Sequence, residues 1–400
     1  MSRDLGMDER EAQWRHEIRT ALHVQDGTPE LEPTTHSKFS PTEGVRVERV
    51  SYGTQFGMRI PGILYLPDPM PKEEIPGLII VNGHGGDKYA WYGMYSGMLY
   101  AKGGAAVLTY DPTGEGERNA NRESETREHD HIEDPEHMGP RLAGLMITDL
   151  MQAVRYLGTR PETDATRISA MGYSLGSFVV GLTGAVDEQI HCCVLAGGGN
   201  FDGPGEYWDR SKPMCQGAPY RSLQALGDRG AILYTLHASR GPTLIYNGLE
   251  DAVVNIPNHG RPFFEDLRKR TIALKGSEAS VFDVGFLEGA SHRPHFVTKP
   301  VALWLESHQG FPNWSNEDIL KMPETHIGPW TEKYSVETDR AYATEIREFG
   351  TMALRDDIPG IKRSLLNVLT DEEWEAQKNI LIHEKWREQI RKERKSLNVC

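Results

Sequence analysis

The segment Gly172-Tyr173-Ser174-Leu175-Gly176 places a serine between two glycines, each two positions away. Apolar residues precede the segment at 168–171 and follow it at 177–182, where they can continue as a helix. A strand, a sharp turn and a helix in this order would expose Ser174 as a nucleophile at the tip of the turn. The N–H of Leu175 would lie at a helix N-terminus, which favours a developing negative charge. The same pattern also arises by chance, and its glycines can simply end a strand.

Three further segments give this pattern a context, because each follows a run typical of a buried strand. The segments are the loop Gly83-His84-Gly85-Gly86 after 78–81, Asp251 after 243–246 and His292 after 281–286. In this order of loop, nucleophile, acid and histidine, the chain resembles the α/β-hydrolase superfamily. The resemblance covers about residues 45–310.

The resemblance implies a catalytic triad. Ser174 would be the nucleophile, His292 the base that takes its proton, and Asp251 the carboxylate that orients the imidazole. His295 and Glu250 are the alternatives for the last two roles, since each lies close by in the sequence. His292 is favoured because the Gly-Ala-Ser loop before it matches the family, and because a proline would end the turn before His295. Asp251 is favoured because a glycine lies three positions earlier, as in the family.

Hydrolysis by such a triad also needs an oxyanion hole. Two N–H donors must point to the place where negative charge develops, and each contributes about 3 kcal/mol. The resemblance assigns one donor to Leu175 and the second to the glycine-rich loop, at His84 or Gly85. The glycines let the backbone approach a substrate closely, although a plain tight turn would use them as well.

Shorter matches indicate a branch of the superfamily. The chain is most similar to the dienelactone-hydrolase, acetyl-xylan-esterase and prolyl-oligopeptidase branch. This similarity is based on the Gly-His-Gly-Gly loop, the Gly-x-Gly-Glu-Arg turn within 110–118 and the Ala-Ser-Arg-Gly-Pro stretch before the strand that precedes Asp251. The turn is expected to have a structural role. Dienelactone hydrolase itself uses a cysteine nucleophile, and no propeller-sized domain precedes residue 45, which weakens assignment as a peptidase.

The order of the apolar runs predicts the fold class. Residues 45–50 and 60–66 read as paired antiparallel strands, and continuously apolar runs then alternate with helical segments. The expected later strands are 78–81, 105–110, 168–171, 191–195, 243–246 and 281–286, and the expected helices include 94–101, 140–157 and 262–274. This alternation predicts an α/β fold with a mostly parallel, doubly wound sheet and its catalytic groups at the carboxyl ends of the strands.

The chain divides into three parts. They are an N-terminal helix (4–23) and linker (27–41) within 1–44, a catalytic domain over 45–310, and a C-terminal helical extension over 311–400. In the extension, the capping-box sequence Thr370-Asp371-Glu372-Glu373 announces a last helix with an apolar stripe. The stripe fits packing on the core and fits a homodimer contact equally well.

One connection is longer than the fold requires. Residues 200–240 are either a lid over the substrate or a structural insertion, and a lid is the preferred interpretation. The residues expected to line the substrate pocket are Tyr173, Tyr207, Trp208 and Tyr220.

Composition restricts the partners of the protein. A formal net charge of −14 argues against binding to nucleic acid or to anionic lipid. No basic stretch followed by an apolar one opens the chain, and no apolar run is long enough to span a membrane, so a cytoplasmic protein is expected. Its four cysteines are too few for a disulfide framework and are expected to be reduced.

A dense run of potential metal ligands lies between the nucleophile and the oxyanion loop in sequence. Its members are His129, His131, Glu133, Asp134 and His137. The run is charged throughout and has no second matching site, so a solvated loop is the preferred interpretation and no metal or other cofactor is expected.

The sequence therefore predicts a cofactor-independent serine hydrolase. Its substrate would be a carboxylic ester of a small molecule, such as an acetylated sugar, an aromatic ester or a lactone, cleaved through an acyl-serine intermediate. One alternative keeps the triad but cleaves an amide, peptide or carbon–carbon bond. The other is a non-catalytic binding protein on a hydrolase fold.

Overall fold

A single large sheet lies at the centre of the computed structural model, which describes residues 6–131, 133–203, 205–276, 281–336 and 351–397. Within these residues the sheet has nine strands in the order β1-β2-β3-β5-β4-β6-β7-β8-β9. They are β1 Thr34–Thr42, β2 Gly44–Gly53, β3 Arg59–Asp68, β4 Ile75–Val81, β5 Ala106–Tyr110, β6 Thr163–Tyr173, β7 Cys193–Ala196, β8 Thr243–Gly248 and β9 Asp283–Leu287. The pairs from β1 through β3 to β5 are antiparallel and all the others are parallel, which confirms the predicted sheet.

Helices cover both faces of this sheet. They are α1 Met7–Ala21, α2 Trp91–Lys102, α3 Pro135–Gly158, α4 Leu175–Val186, α5 Tyr207–Arg210, α6 Ala218–Ser222, α7 Arg229–Arg240, α8 Ile256–Lys275 and α9 Lys299–Gln309. Side chains of α3 and α4 share one apolar cluster with Ile79 of β4, whereas those of α2 and α9 share another with Leu78 and Ile80. Neighbouring residues of a strand point to opposite faces, so the two clusters lie on opposite sides of the sheet.

The central strands are readable in the sequence because water is excluded from both of their faces. Every residue of β4, β5, β7 and β8 is buried. Such strands must be apolar at successive positions rather than at alternate ones. The unbroken apolar runs therefore mark the centre of the sheet.

The expected linker over 27–41 is wrong in its second half, because β1 occupies Thr34–Thr42. This strand pairs antiparallel with β2, with Thr35 opposite Val50 and Phe39 opposite Val47. It lies at the edge of the sheet and most of its side chains are exposed or half-buried. An edge strand does not need an apolar face on each side, so its serines and threonines gave it the appearance of a linker.

The long connection at 200–240 is only partly irregular. Its last third is α7, which packs against α4 and α8 and returns the chain from β7 to β8 in the ordinary way. The irregular part contains the short helices α5 and α6 and a π-helical turn at Pro213–Gly217. The remaining short turns of 3-10 helix are Gln55–Gly57, Gly116–Arg118, Glu128–His131, Gln224–Leu226, His295–Val297 and Arg363–Leu366.

The turn over 110–118 contains a buried ionic cluster. The Nζ of Lys88 lies 3.0 Å from Glu117 Oε2 and also contacts Asp111, and all three side chains are fully buried. The carboxylate of Glu117 accepts hydrogen bonds from the N–H groups of Val368 and Leu369, at 2.9 and 3.0 Å. Through these hydrogen bonds to Glu117, the turn attaches the C-terminal extension to the domain that contains the sheet.

The C-terminal extension packs against its own chain. Its elements are α10 Asn316–Lys321, β10 Glu324–His326, α11 Ile327–Tyr334, β11 Met352–Leu354, α12 Asp371–Leu381 and α13 His383–Leu397. The predicted capping box is present, with Thr370 and Glu373 as its two members. The expected single last helix is broken at Ile382 into α12 and α13. Of its apolar stripe, Trp374, Leu381, Trp386 and Ile390 are buried and Ile380 is half-buried.

A membrane-spanning helix is not among these elements. None of the helices within the described ranges combines the length and the apolar character that crossing a bilayer requires.

Candidate active site

The predicted chemical groups meet at the carboxyl edge of the parallel strands. Ser174 follows β6, the glycine-rich loop follows β4, Asp251 comes three residues after β8, and His292 follows β9. Strands β4, β6, β7, β8 and β9 are parallel neighbours, so their carboxyl ends lie along one edge. This edge is where open α/β sheets bind ligands.

Ser174 occupies the tip of a strained turn between β6 and α4. Its backbone angles are φ 55° and ψ −113°, a conformation that non-glycine residues rarely adopt. A Cβ on Gly172 would overlap the carbonyl of Gly176, and a Cβ on Gly176 would overlap the carbonyl of Val81. Both glycines are therefore needed for the strand and helix to approach each other, which is the arrangement expected of a nucleophile elbow.

A continuous chain of contacts runs from Asp251 through His292 to Ser174. The Nε2 of His292 lies 2.9 Å from Ser174 Oγ, and its Nδ1 lies 2.7 Å from Asp251 Oδ2. The other carboxylate oxygen of Asp251 accepts the N–H groups of Val253 and Val254 at 3.0 and 3.2 Å. With Nδ1–H donating to the carboxylate, Nε2 can accept the serine proton, as general base catalysis requires.

The two alternatives lie elsewhere. Glu250 is exposed and His295 is buried, with its ring edge-on to Tyr246 at 5.9 Å. Burial lowers the pKa of His295 to about 4, so this imidazole is neutral at physiological pH. The structure thus brings Asp251 and His292 to Ser174, whereas Glu250 and His295 have other surroundings.

The glycine-rich loop lies directly against the serine. A Cβ on Gly83 would be 3.2 Å from Ser174 Cβ, so the backbone of the loop passes beside Ser174. The N–H of Gly83 donates to Tyr92 Oη at 3.2 Å, and Gly85 adopts a φ of +77°. Leu175 begins α4, and the first N–H groups of a helix have no partner within the helix.

The imidazole of His292 packs closely against Tyr173 and Gly197. The ring of Tyr173 lies 4.9 Å from it, centroid to centroid, and Tyr173 Oη donates to the carbonyl of His292 at 3.3 Å. A Cβ on Gly197 would be 2.9 Å from His292 Cε1 and 3.2 Å from Tyr173 Cε2. Sequence reasoning missed Gly197, although three consecutive glycines directly after a buried strand were a usable signal.

A cavity of about 1040 Å³ opens above these groups. Ser174, His292, His84, Tyr173 and Tyr207 line it. Its wall also carries six Lys or Arg and three Asp or Glu side chains, which are Arg122, Arg127, Arg210, Lys212, Lys362, Arg363, Asp87, Glu123 and Glu125. Two of the cations come from the C-terminal extension, about 190 residues after the nucleophile, and no local motif in the sequence signals them.

Two of the expected pocket residues are wrong. Trp208 and Tyr220 are almost completely buried and do not line the cavity. Trp208 stacks on Phe178 at 5.1 Å, and Tyr220 stacks on Phe201 at 5.7 Å. These large rings pack against the apolar face of α4, the helix that follows Ser174, and shield it from water. Tyr173 and Tyr207 do line the cavity, as expected.

The histidine-rich run at 129–137 is not a uniformly solvated loop. His131 and Glu133 are exposed, but His129 is 1% exposed and its ring stacks on His84 at a centroid distance of 5.6 Å. The side chain of His84 is directed into the same place, where its Nε2 lies 2.8 Å from Cys215 Sγ. The sequence did not connect these residues because they lie on three separate segments.

Comparison with known proteins agrees with this architecture. Residues 138–282 match the prolyl oligopeptidase family, and residues 2–196 match the acetyl xylan esterase family. The protein YtaP of Bacillus subtilis (strain 168) is 32% identical over 91 residues, which are 23% of this chain. That match spans only 29% of the length of YtaP.

Solved structures are similar over most of the chain. Methylesterase BT1017 is 17% identical with a TM-score of 0.57, over 93% of this chain and 76% of its own. An acetyl xylan esterase from Paenibacillus sp. R4 is 16% identical with a TM-score of 0.51, over 74% and 94%. A glucuronoyl esterase from Solibacter usitatus is 11% identical with a TM-score of 0.52, over 75% and 92%. At these identities the structures show the fold alone, which is the α/β-hydrolase fold.

Proposed function

We propose that this protein is a serine esterase that cleaves a carboxylic ester of a small, sugar-like molecule through an acyl-serine intermediate. The observation that carries the proposal is the chain of contacts from Asp251 through His292 to Ser174, at the base of a cavity. The matched family and similar structures that are named as esterases of acetylated xylan, of methyl esters and of glucuronoyl groups support the same bond type.

The geometry supports a two-step reaction. As Ser174 Oγ attacks the ester carbonyl carbon, His292 Nε2 takes its proton and Asp251 stabilises the resulting imidazolium. The N–H groups of Leu175 and of His84 or Gly85 would bind the oxyanion. The intermediate then expels the alcohol, which takes the proton from His292 and leaves an acyl-serine. A water molecule, deprotonated by the same imidazole, releases the carboxylic acid and restores the serine.

The charge of the cavity wall favours an acidic sugar over a neutral one. Six cations and three carboxylates line the wall, although the whole chain carries −14. Three of the cations, Arg122, Arg210 and Lys212, also pair with Glu117, Glu206 and Asp130, which do not line the cavity. A local excess of cations attracts an anionic ligand. The substrate class that fits is an ester of a carbohydrate that also carries a free carboxylate.

The first experiment asks whether the serine reacts. Wild type and Ser174→Ala are compared on p-nitrophenyl esters of short acyl chains, on the matching anilides and on a β-diketone, and both are treated with a fluorophosphonate probe. Ester turnover and labelling that depend on Ser174 support the proposal. Faster cleavage of anilide or diketone than of ester would assign the triad to another bond, and no labelling at all would favour a binding protein.

The second experiment tests the acidic substrate. Acetylated oligosaccharides with and without a uronic acid unit are compared in wild type and in Arg127→Gln, a change on the cavity wall. We expect the wild type to prefer the acidic substrate, the variant to lose about fivefold or more of that preference, and added salt to weaken it. Equal kcat/KM for both substrates would contradict the acidic class while leaving the esterase intact.

A further inference from the structure

Four side chains with metal-binding atoms converge beside the oxyanion loop. Cys215 Sγ lies 2.8 Å from His84 Nε2 and 3.1 Å from Asp130 Oδ1, and the same oxygen lies 3.5 Å from His84 Nε2 and 3.8 Å from His129 Nε2. All four ligand atoms lie within 4.8 Å of one another. A tetrahedral Zn²⁺ ion with bonds of 2.0–2.3 Å needs ligand atoms roughly 3.3–3.8 Å apart, so small adjustments would produce its coordination shell.

The histidine at the back of the cluster is arranged as a ligand. The ring of His129 is 1% exposed, and its Nδ1 lies 3.3 Å from the carbonyl of Thr113, to which it can only donate. This leaves the lone pair on Nε2, which is buried and has no hydrogen-bond partner among the described residues. A buried imidazole nitrogen without a partner is costly. Metal-binding histidines commonly donate their other ring N–H to a carbonyl in this manner.

We propose that His84, His129, Asp130 and Cys215 bind one Zn²⁺ ion. Two imidazoles, a carboxylate and a thiolate are a typical zinc donor set, and four protein ligands make a closed structural site rather than a catalytic one. Binding forms a Zn–S bond and releases the Cys215 proton to solvent. The thiolate and the carboxylate then balance the two positive charges of the ion, which removes the need for a further counter-ion in a site where Cys215 is fully buried.

The ion would join three segments that are distant in sequence. His84 belongs to the loop beside Ser174, His129 and Asp130 to the short helix Glu128–His131, and Cys215 to the π-helical turn Pro213–Gly217. The last two segments contact each other, and His84 lines the cavity itself. The ion would therefore fix the position of the proposed oxyanion loop without contacting the reacting ester.

The direct test is the metal content of the full-length protein. The wild type is purified without chelators, and its zinc is measured by mass spectrometry and again after removal with a chelator and titration with Zn²⁺ alone. We expect about one Zn²⁺ per chain and a higher melting temperature in the zinc-loaded form. A wild type that takes up no stoichiometric zinc overturns the proposal, whatever its esterase activity.

Matched variants locate the ion. Cys215→Ser and His129→Gln should each weaken zinc binding by about tenfold or more. Cys193→Ser, which changes another fully buried thiol outside the cluster, should leave it unchanged. Co²⁺ substituted into the wild type should show a thiolate-to-metal charge-transfer band, and this spectrum does not depend on how well the variants fold. Bound Co²⁺ without that band, or zinc retained by both folded variants, would contradict the assignment.

Discussion

The rings of the adjacent residues Tyr207 and Trp208 meet edge to face, with centroids 5.1 Å apart, but their other contacts differ. Tyr207 Oη donates to the carbonyl of Val253 at 2.7 Å on the rim of the cavity. The ring of Trp208 instead stacks on Phe178 at 5.1 Å, and Phe178 belongs to the first turn of the helix that begins after Ser174. One residue therefore contacts the space for substrate, and its neighbour supports the nucleophile's helix from behind.

Replacing these two residues should separate binding from stability. Trp208→Ala removes a fully buried ring, so we expect the free energy of unfolding to fall by about 3–5 kcal/mol. Tyr207→Ala removes a ring at the cavity rim, so we expect a smaller loss of about 1 kcal/mol and a raised KM. Urea unfolding and ester kinetics on both variants check this. An unchanged KM in Tyr207→Ala would exclude this ring from the substrate-binding wall.

The contacts around His292 predict that its partners act as one unit. Ser174→Ala and His292→Ala should each lower kcat by several orders of magnitude, and Asp251→Asn by about 10⁴-fold. The double variant Ser174→Ala/His292→Ala should be no slower than the worse single variant, within about tenfold. Steady-state kinetics with a p-nitrophenyl ester measure all four. Losses that multiply in the double variant would mean that the two side chains act independently.

The elbow should not tolerate a methyl group. In Gly172→Ala the new Cβ would overlap the carbonyl of Gly176, which is backbone and cannot move aside. We expect a loss of about 3 kcal/mol or more, or failure to fold. Gly27→Ala is the matched control, because a Cβ there has no heavy atom within 4 Å. Its unfolding free energy should change by less than about 0.5 kcal/mol, and similar losses in both variants would contradict the close approach seen at the elbow.

A buried histidine should make stability depend on pH. His237 lies between the carbonyl of Gly181 and the hydroxyl of Thr243, and burial together with nearby Arg240 lowers its pKa to about 3 from 6.5. As the pH falls, the unfolded chain protonates His237 before the folded protein does. The contribution of this residue to the free energy of unfolding is therefore complete above pH 6.5 and is lost as the pH falls towards 3. The loss between pH 7 and pH 5 is about 2 kcal/mol.

The test compares how the free energy of unfolding changes with pH in two proteins, rather than its absolute value. Urea unfolding of wild type and His237→Gln is measured at pH 7, 6 and 5. Although the glutamine variant is less stable throughout, it should lose about 2 kcal/mol less over this interval. Identical losses in the two proteins would show that His237 does not titrate on unfolding as described.

The sequence was sufficient for the features that short-range chemistry determines. The glycines around Ser174 are required by one turn, and buried strands must be apolar, so the elbow, the sheet and the order of Asp251 and His292 could be predicted. Features that depend on distant contacts could not. Lys362 and Arg363 reach the cavity from the extension. The ring of His129 stacks on His84, whose Nε2 lies 2.8 Å from Cys215 Sγ, and these three residues come from separate segments. Trp208 and Tyr207 are adjacent aromatic residues, and only the direction of a short helix determines which one is buried.

The attachment of the C-terminal extension by Glu117 has a consequence for how this protein could diversify. The proposed reacting groups lie on loops of the sheet, whereas Lys362 and Arg363 lie on a separate segment held by the N–H groups of Val368 and Leu369. Side chains hold the segment as well, since Arg363 donates to Ser124 at 2.8 Å and Ile361 is buried, but Lys362 is exposed at the cavity wall. We therefore expect substitutions of Lys362 to alter which molecule is accepted while the proposed triad stays intact, so that selectivity and chemistry would change independently within one chain.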